Sequence, residues 1–131
     1  MIDPGTITVE NGVRRERGFE AECVFIGDVS GVIRFTRSST LENGDGPFTE
    51  WEGPAWGRTI VTVSELYGEP VLNGTFRGPY RTDWQTLITG GEFKLVRVGT
   101  GDLRGLVMFV TAMGENFGQF INETGVIIGK R

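Results

Sequence analysis

Three polar side chains that interrupt apolar, strand-like segments are the candidates for acid–base chemistry in this chain: Glu65, Tyr67 and Arg34. A polar group that faces an apolar interior is costly to bury without a partner. Burial also shifts its pKa, which can make the group a useful acid or base. We therefore predict that these three residues form the catalytic group of the protein.

Residue types that the sequence lacks further restrict the possible reaction mechanisms. The chain has no histidine and a single cysteine, Cys23. Internal disulfides, clusters of thiolate metal ligands, and the Ser-His-Asp and Cys-His arrangements of nucleophilic enzymes are thereby excluded. We expect a reaction that needs no metal and no cofactor, and we expect Cys23 to pack as a small apolar side chain.

Charge and hydropathy restrict the partners. The formal net charge is −4 and the sequence pI is about 4.9, so the chain lacks the excess of basic residues that nucleic-acid binding requires. No apolar run approaches the roughly 20 residues of a membrane-spanning helix. The first residues, Met-Ile-Asp-Pro-Gly, do not have the pattern of a signal peptide. We expect a cytoplasmic protein with no nucleic-acid partner and no membrane contact.

Short strands are the elements that must position the candidate residues. Glycine accounts for 21 of the 131 residues and is spread along the chain, so almost no segment suits a helix of the usual ~11 residues. Several segments alternate apolar and polar side chains with the period of two that is typical of strands. We predict one all-β domain, residues 1–131, that forms an up-and-down antiparallel barrel of about eight principal strands with little or no helix. The predicted strands, of which the first is a weak edge strand, span residues 7–9, 19–26, 32–41, 58–67, 70–77, 80–89, 92–98, 106–113 and 119–128.

Aromatic side chains on these segments are suited to line a small barrel, which can hold one small ligand. The long irregular segment 42–57 carries two tryptophans, and we interpret it as a lid over one mouth of the barrel. The alternative is that the aromatic side chains simply fill the core. The predicted substrate-binding residues are Phe25, Phe35, Trp51, Trp56, Phe76, Trp84, Phe93 and Phe109.

Some predicted strands are apolar on both faces, such as residues 106–110 and 126–128. A single inward face does not account for this pattern. Either two layers cover these strands, or a barrel buries one face inside and the other face in a contact between subunits. The second arrangement predicts a homo-oligomer, either a dimer or a trimer.

The segment Gly-Thr-Gly-Asp-Leu-Arg-Gly-Leu at 99–106 joins two strongly apolar strands. Its spacing is GxGxxxG and no helix follows, so it predicts a strand reversal and not a phosphate-binding loop. Together with Gly-Thr-Phe-Arg-Gly at 74–78, Trp84, and Glu-Phe-Lys-Leu at 92–95, it resembles the allene oxide cyclase barrel family and its small bacterial relatives of unknown function. The resemblance covers residues 19–112 and consists of short, turn-like motifs.

This resemblance implies an eight-stranded antiparallel barrel with an apolar lumen, often in a dimer or trimer, that folds a reactive substrate into a ring. We therefore expect a cofactor-independent cyclase or isomerase that acts on a hydrophobic or polyketide-like small molecule. Confinement and acid–base polarisation would lower the barrier. The alternative is a non-catalytic carrier of a small hydrophobic ligand, and a third interpretation is a structural oligomer whose lumen is filled by side chains.

Overall fold

A curved antiparallel β-sheet is the main feature of the computed structural model, which describes residues 1–115 and 120–130. Along the chain, nine strands, one short helix and a 3₁₀ turn at Phe48–Glu50 are found in these ranges. The all-β class expected from the sequence is confirmed. The elements are β1 (Thr6–Glu10), β2 (Val13–Phe25), β3 (Val29–Leu41), β4 (Pro54–Leu66), β5 (Glu69–Pro70), β6 (Gly74–Asp83), α1 (Trp84–Thr89), β7 (Glu92–Gly101), β8 (Leu106–Glu115) and β9 (Phe120–Gly129). The first residue of the last predicted strand, Gln119, lies outside the described residues.

Neighbours in sequence are neighbours in the sheet, as expected for an up-and-down topology. The order is β1-β2-β3-β4-β6-β7-β8-β9, and the two-residue β5 pairs with the end of β4. Within residues 1–115 and 120–130, no hydrogen-bonded pairing joins the first strands to β9, so closure into a barrel is not detected. Among the described residues, β1 and β9 are therefore the edge strands of the sheet.

One face of the sheet carries the hydrophobic core. Inward-facing side chains at every second position of β4, β6, β7 and β8 pack together, and Val61, Phe76, Leu95 and Met108 are among the most buried. Full burial of an apolar side chain of this size stabilises the fold by about 1.5–3 kcal/mol. The inner face is therefore defined by the period-two pattern of the sequence.

A helix replaces the second half of the strand that the sequence predicted at 80–89. β6 runs without interruption through Gly78 and Pro79 to Asp83, and α1 begins at Trp84. The prediction was wrong because the pair Gly90-Gly91 was interpreted as a hairpin loop. Gly90 instead adopts the left-handed conformation (φ 86°) that terminates helices, and its N–H bonds to the carbonyl of Thr86. No helix among the described residues is long and apolar enough to cross a membrane.

The predicted reversal at 99–106 is confirmed. β7 ends at Gly101 and β8 begins at Leu106, with positive φ at Gly101 (62°) and Gly105 (92°). Leu103, at the tip of the turn, is fully buried against the core. The carboxylate of Asp102 accepts a bond from the backbone N–H of Asn73 (3.0 Å), which ties this turn to the segment before β6.

Candidate functional site

The inner face of the sheet lines a partly open cavity of about 290 Å³. This volume is near the lower end of the range for small-molecule sites, roughly 300–1,000 Å³. Its walls come from strands at both ends of the sheet order and from α1, and the largest lining side chains are Phe25, Phe35, Tyr80, Trp84 and Phe93. A cavity of this size argues against an interior that side chains fill completely.

The cavity reaches the gap between the two ends of the sheet. Cys23 and Val24 line it from β2, and Ile121 and Glu123 line it from β9. β1 pairs with the first part of β2, at Val13 to Arg17. On the edge away from β3, the bridge between Asp3 and Glu20 is the pairing found for the later part of β2 in the described chain. We call this gap between β2 and β9 the seam.

Arg97, on β7, is the most deeply buried charged residue of the described chain, with 1% of its surface exposed. Its Nη1 and Nη2 atoms donate to the two carboxylate oxygens of Glu123 on β9 (2.5 and 2.7 Å). Nε donates to the hydroxyl of Thr59 (2.8 Å), which in turn donates to the carbonyl of Gly78 (3.1 Å). Nη1 also contacts the sulfur of Met108 at 3.6 Å. The guanidinium is thus held at each of its nitrogens.

Arg37, on β3, is the second guanidinium that lines the cavity. Nε and Nη2 donate to the carboxylate of Glu16 on β2 (2.8 and 3.3 Å). Its central carbon lies 4.3 Å from the ring centre of Phe19 and 5.6 Å from that of Trp84, within the range of cation–π attraction. The Arg37 side chain is 23% exposed against 1% for Arg97, whereas the two carboxylates are similarly buried, at 8% for Glu16 and 10% for Glu123.

Tyr80, on β6, supplies the phenol of the cavity. Its hydroxyl donates to the carbonyl of Thr36 (2.7 Å), and its ring packs near that of Phe93. Burial raises the pKa of the Tyr80 phenol well above its ordinary value of 10.0, and the charge of Arg37 offsets only part of this rise. Tyr80 therefore stays neutral and its proton is already committed to Thr36.

The loop between β3 and β4 holds Trp84 in place from outside. The rings of Trp51 and Trp84 lie 5.4 Å apart, and the indole N–H of Trp84 donates to the carbonyl of Phe48 (3.0 Å). The side chain of Gln85 donates to two further carbonyls of the loop, those of Thr49 and Trp51. The loop reaches the cavity only through Trp84, and does not itself line the cavity.

Half of the predicted substrate-binding residues line the cavity and half do not. Phe25, Phe35, Trp84 and Phe93 are cavity-lining. The other four lie elsewhere: Phe76 is fully buried in the core, Phe109 is 44% exposed on the outer face, Trp51 packs against Trp84, and Trp56 lies beneath Arg17. Trp56 also belongs to β4 and not to the loop, because that strand begins earlier than predicted, at Pro54.

The structure does not place the three predicted catalytic residues at the cavity. Glu65 is exposed near the end of β4, and Tyr67 is 63% exposed with a positive φ of 50° in the turn that follows. Arg34 points outward and pairs with Glu20 (2.7 Å). Alternation along β3 turns Arg34 outward, a register shift after Val63 takes Glu65 out of the inward series, and Tyr67 lies beyond the end of β4. Their expected inward orientation is therefore not observed, and a catalytic role for them stays a prediction. Cys23 was expected to be packed but is exposed at the seam.

The sequence analysis did not predict the charged residues of the cavity, although the alternation of side chains along the strands indicates their position. Arg37 continues the inward series of Ile33 and Phe35, and Arg97 continues that of Phe93 and Leu95. A period of two places each arginine on the apolar face. No group of three or more potential metal ligands occurs among the described His, Cys, Asp and Glu residues.

Comparisons of the chain with protein-family models, with curated proteins and with solved structures found no match. The antiparallel up-and-down sheet is thus the part of the resemblance to the allene oxide cyclase family that the structure supports.

Proposed function

We propose that this protein binds a small, largely apolar molecule in the cavity and acts on it as a cofactor-independent cyclase or isomerase. The observation that carries the proposal is the cavity itself, which is lined by aromatic rings together with two guanidinium groups and a carboxylate. Aromatic walls can hold a flexible molecule in a folded, reactive conformation, which removes part of the entropic barrier. Fixed charges in an enclosed site can stabilise the charge that develops during the reaction.

The proposal includes the assignment of the chain to the allene oxide cyclase barrel family. A closed barrel of the allene oxide cyclase type would need the seam between β2 and β9 to be bridged. The segment 99–106, which forms the β7–β8 turn, and the cavity with strands of both sheet ends in its wall support that assignment.

Thiol chemistry tests whether the cavity takes a ligand, because Cys23 is the chain's single cysteine and lines the cavity while exposed. A bound molecule should slow the reaction of Cys23 with a colorimetric disulfide reagent. If no small apolar molecule, with or without a polar group, slows the labelling of Cys23 or changes the tryptophan fluorescence, the proposal is contradicted.

A carrier is the second candidate, and the pairing of both arginines with glutamates supports it, since the walls then bear little uncompensated charge. Native mass spectrometry of the purified protein would detect a co-purifying molecule. An isomerase converts that molecule into a product of the same mass and different chromatographic retention, whereas a carrier releases it unchanged.

We further propose that a second copy of the chain covers the outer face of β7, β8 and β9. Val96, Phe109 and Val126 form one exposed row across these strands, and Val98 and Ile128 belong to the next row. The two rows carry no charged side chain, so the same patch on two copies is self-complementary in a twofold contact. Phe109→Asp should convert the oligomer to a monomer in light scattering, and a wild-type monomer would contradict this proposal.

A further inference from the structure

The charges around the cavity cancel. Two guanidinium groups, Arg37 and Arg97, line it, and each is bonded to one carboxylate, that of Glu16 or that of Glu123. The remaining described side chains of the wall are uncharged, and Tyr80 keeps its proton. An anionic ligand would enter this space without a net positive charge to receive it, and burial of an uncompensated charge is costly.

Among the described residues that line the cavity, Arg37 has the most N–H groups left to donate to a ligand. Arg97 uses all three of its nitrogens in bonds to Glu123, Thr59 and Met108. Tyr80 donates its only hydroxyl proton to Thr36. Arg37 bonds to Glu16 through Nε and Nη2, whereas its Nη1 makes no hydrogen bond to any described residue. A guanidinium has five N–H donors, so Arg37, a cavity-lining residue, has N–H groups without a bond to the described residues.

Two aromatic rings lie next to the guanidinium of Arg37. Phe19 and Trp84 both lie within cation–π distance of its central carbon. The rings and the Glu16 carboxylate restrict the guanidinium, so its unused N–H groups have a defined position and lose little entropy when they bind an acceptor.

We propose that the ligand is an uncharged molecule with a ketone or related carbonyl group, whose oxygen accepts a hydrogen bond from Nη1 of Arg37. This inference rests on the proposed function and specifies its substrate class. A carboxylic acid, ionised near neutral pH, is excluded as the preferred ligand because Glu16 already neutralises Arg37. In a cyclase or isomerase, the same bond polarises the carbonyl and stabilises negative charge that develops on its oxygen.

Three probes with one skeleton test the proposal on the wild-type protein: benzylacetone, a methyl ketone; hydrocinnamate, in which a carboxylate replaces the acetyl group; and butylbenzene, which has no oxygen. Calorimetry and protection of Cys23 from thiol labelling give the affinities. We expect benzylacetone to bind at least about tenfold more tightly than each of the other two, since a hydrogen bond to a charged donor is worth about that factor.

Two variants assign the preference to Arg37. Glu16→Gln removes the compensating charge, so hydrocinnamate should gain about tenfold or more and overtake benzylacetone. In the double variant Glu16→Gln/Arg37→Met the cavity wall again lacks a net charge at this end, and benzylacetone should bind no better than butylbenzene. Should either variant fail to fold, the order of the three probes on the wild-type chain still decides the question.

Different results would overturn the substrate class and the proposed function. Hydrocinnamate binding to the wild-type chain as tightly as benzylacetone would overturn the substrate class and leave ligand binding intact. Absence of binding for all three probes would overturn the proposed function together with the inference that rests on it.

Discussion

Arg97 and Arg37 both line the cavity and each is bonded to a glutamate, but their surroundings differ. The Arg97 side chain is 1% exposed and bonded at every nitrogen, whereas that of Arg37 is 23% exposed and has one nitrogen without a bond to the described residues. Ser39, opposite Glu16 in the strand register, likewise has a buried hydroxyl without a partner in the described chain. The Arg97 pair links β7 to β9, whereas the Arg37 pair leaves N–H groups without a bond to the described residues, which the proposed function assigns to a ligand.

The largest expected effect comes from Arg97→Met. This change leaves the Glu123 side chain, 10% exposed, without its counter-charge and removes the link from β7 to the edge strand β9. The free energy of unfolding should fall by about 3–5 kcal/mol in urea titrations. The double variant Arg97→Met/Glu123→Leu should recover most of that loss, because no buried charge is then left alone. A single variant as stable as wild type would contradict the structural role.

A direct comparison of the two carboxylates comes next. Glu123→Gln should cost about 2–3 kcal/mol, because it weakens bonds to a fully buried guanidinium. Glu16→Gln should cost only about 1 kcal/mol, since Arg37 is partly exposed and keeps its contacts with Phe19 and Trp84. If the two variants lose the same free energy of unfolding in chemical denaturation, the two ion pairs do not differ in their contribution to stability.

Thr59→Val removes one hydrogen bond of the Arg97 guanidinium with little change in side-chain volume. The hydroxyl of Thr59 accepts from Arg97 and donates to Gly78, so its removal leaves two buried groups without partners. We expect a loss of about 1–2 kcal/mol in the free energy of unfolding. Thr62→Val, at an exposed position of the same strand, is the matched control and should change stability by less than about 0.5 kcal/mol.

The smallest effect concerns Tyr80, which lies beside Arg37. Because burial raises the pKa of Tyr80 in the folded chain, the unfolded chain releases this proton near pH 10 while the folded chain retains it. Rising pH therefore favours unfolding. Ionisation of Tyr80 in the unfolded chain should lower the free energy of unfolding by about 1 kcal/mol between pH 9 and 11. Tyr80→Phe should remove this part of the pH dependence in denaturant titrations. An unchanged slope in the variant would show that this part of the wall is hydrated.

Sequence periodicity predicted the class of the fold and much of the cavity wall, since Phe25, Phe35 and Phe93 lie at alternating positions of strands. It failed where one signal has two structural meanings. Gly90 was interpreted as part of a hairpin loop, although glycine after a short apolar segment is equally typical of a helix end.

The partners of the buried charges could not be predicted from the chain alone. Arg97 and Glu123 belong to strands that are separated by β8, and their contact depends on the curvature of the sheet. Local pattern gives the face of each side chain but not the distance between strands that do not pair. The exposed Glu65 and Tyr67 illustrate the converse, because residues close to a strand end can leave the alternation that the strand imposes.

The seam has a consequence for the size of the molecules that the protein can admit. A ring of strands joined by hydrogen bonds has a girth fixed by strand number and stagger. Here the wall between Cys23 and Ile121 lacks such a ladder in the described chain, so the two edges can move apart without loss of backbone bonds. Under the proposed function, such a separation would let ligands of different bulk share one set of polar contacts.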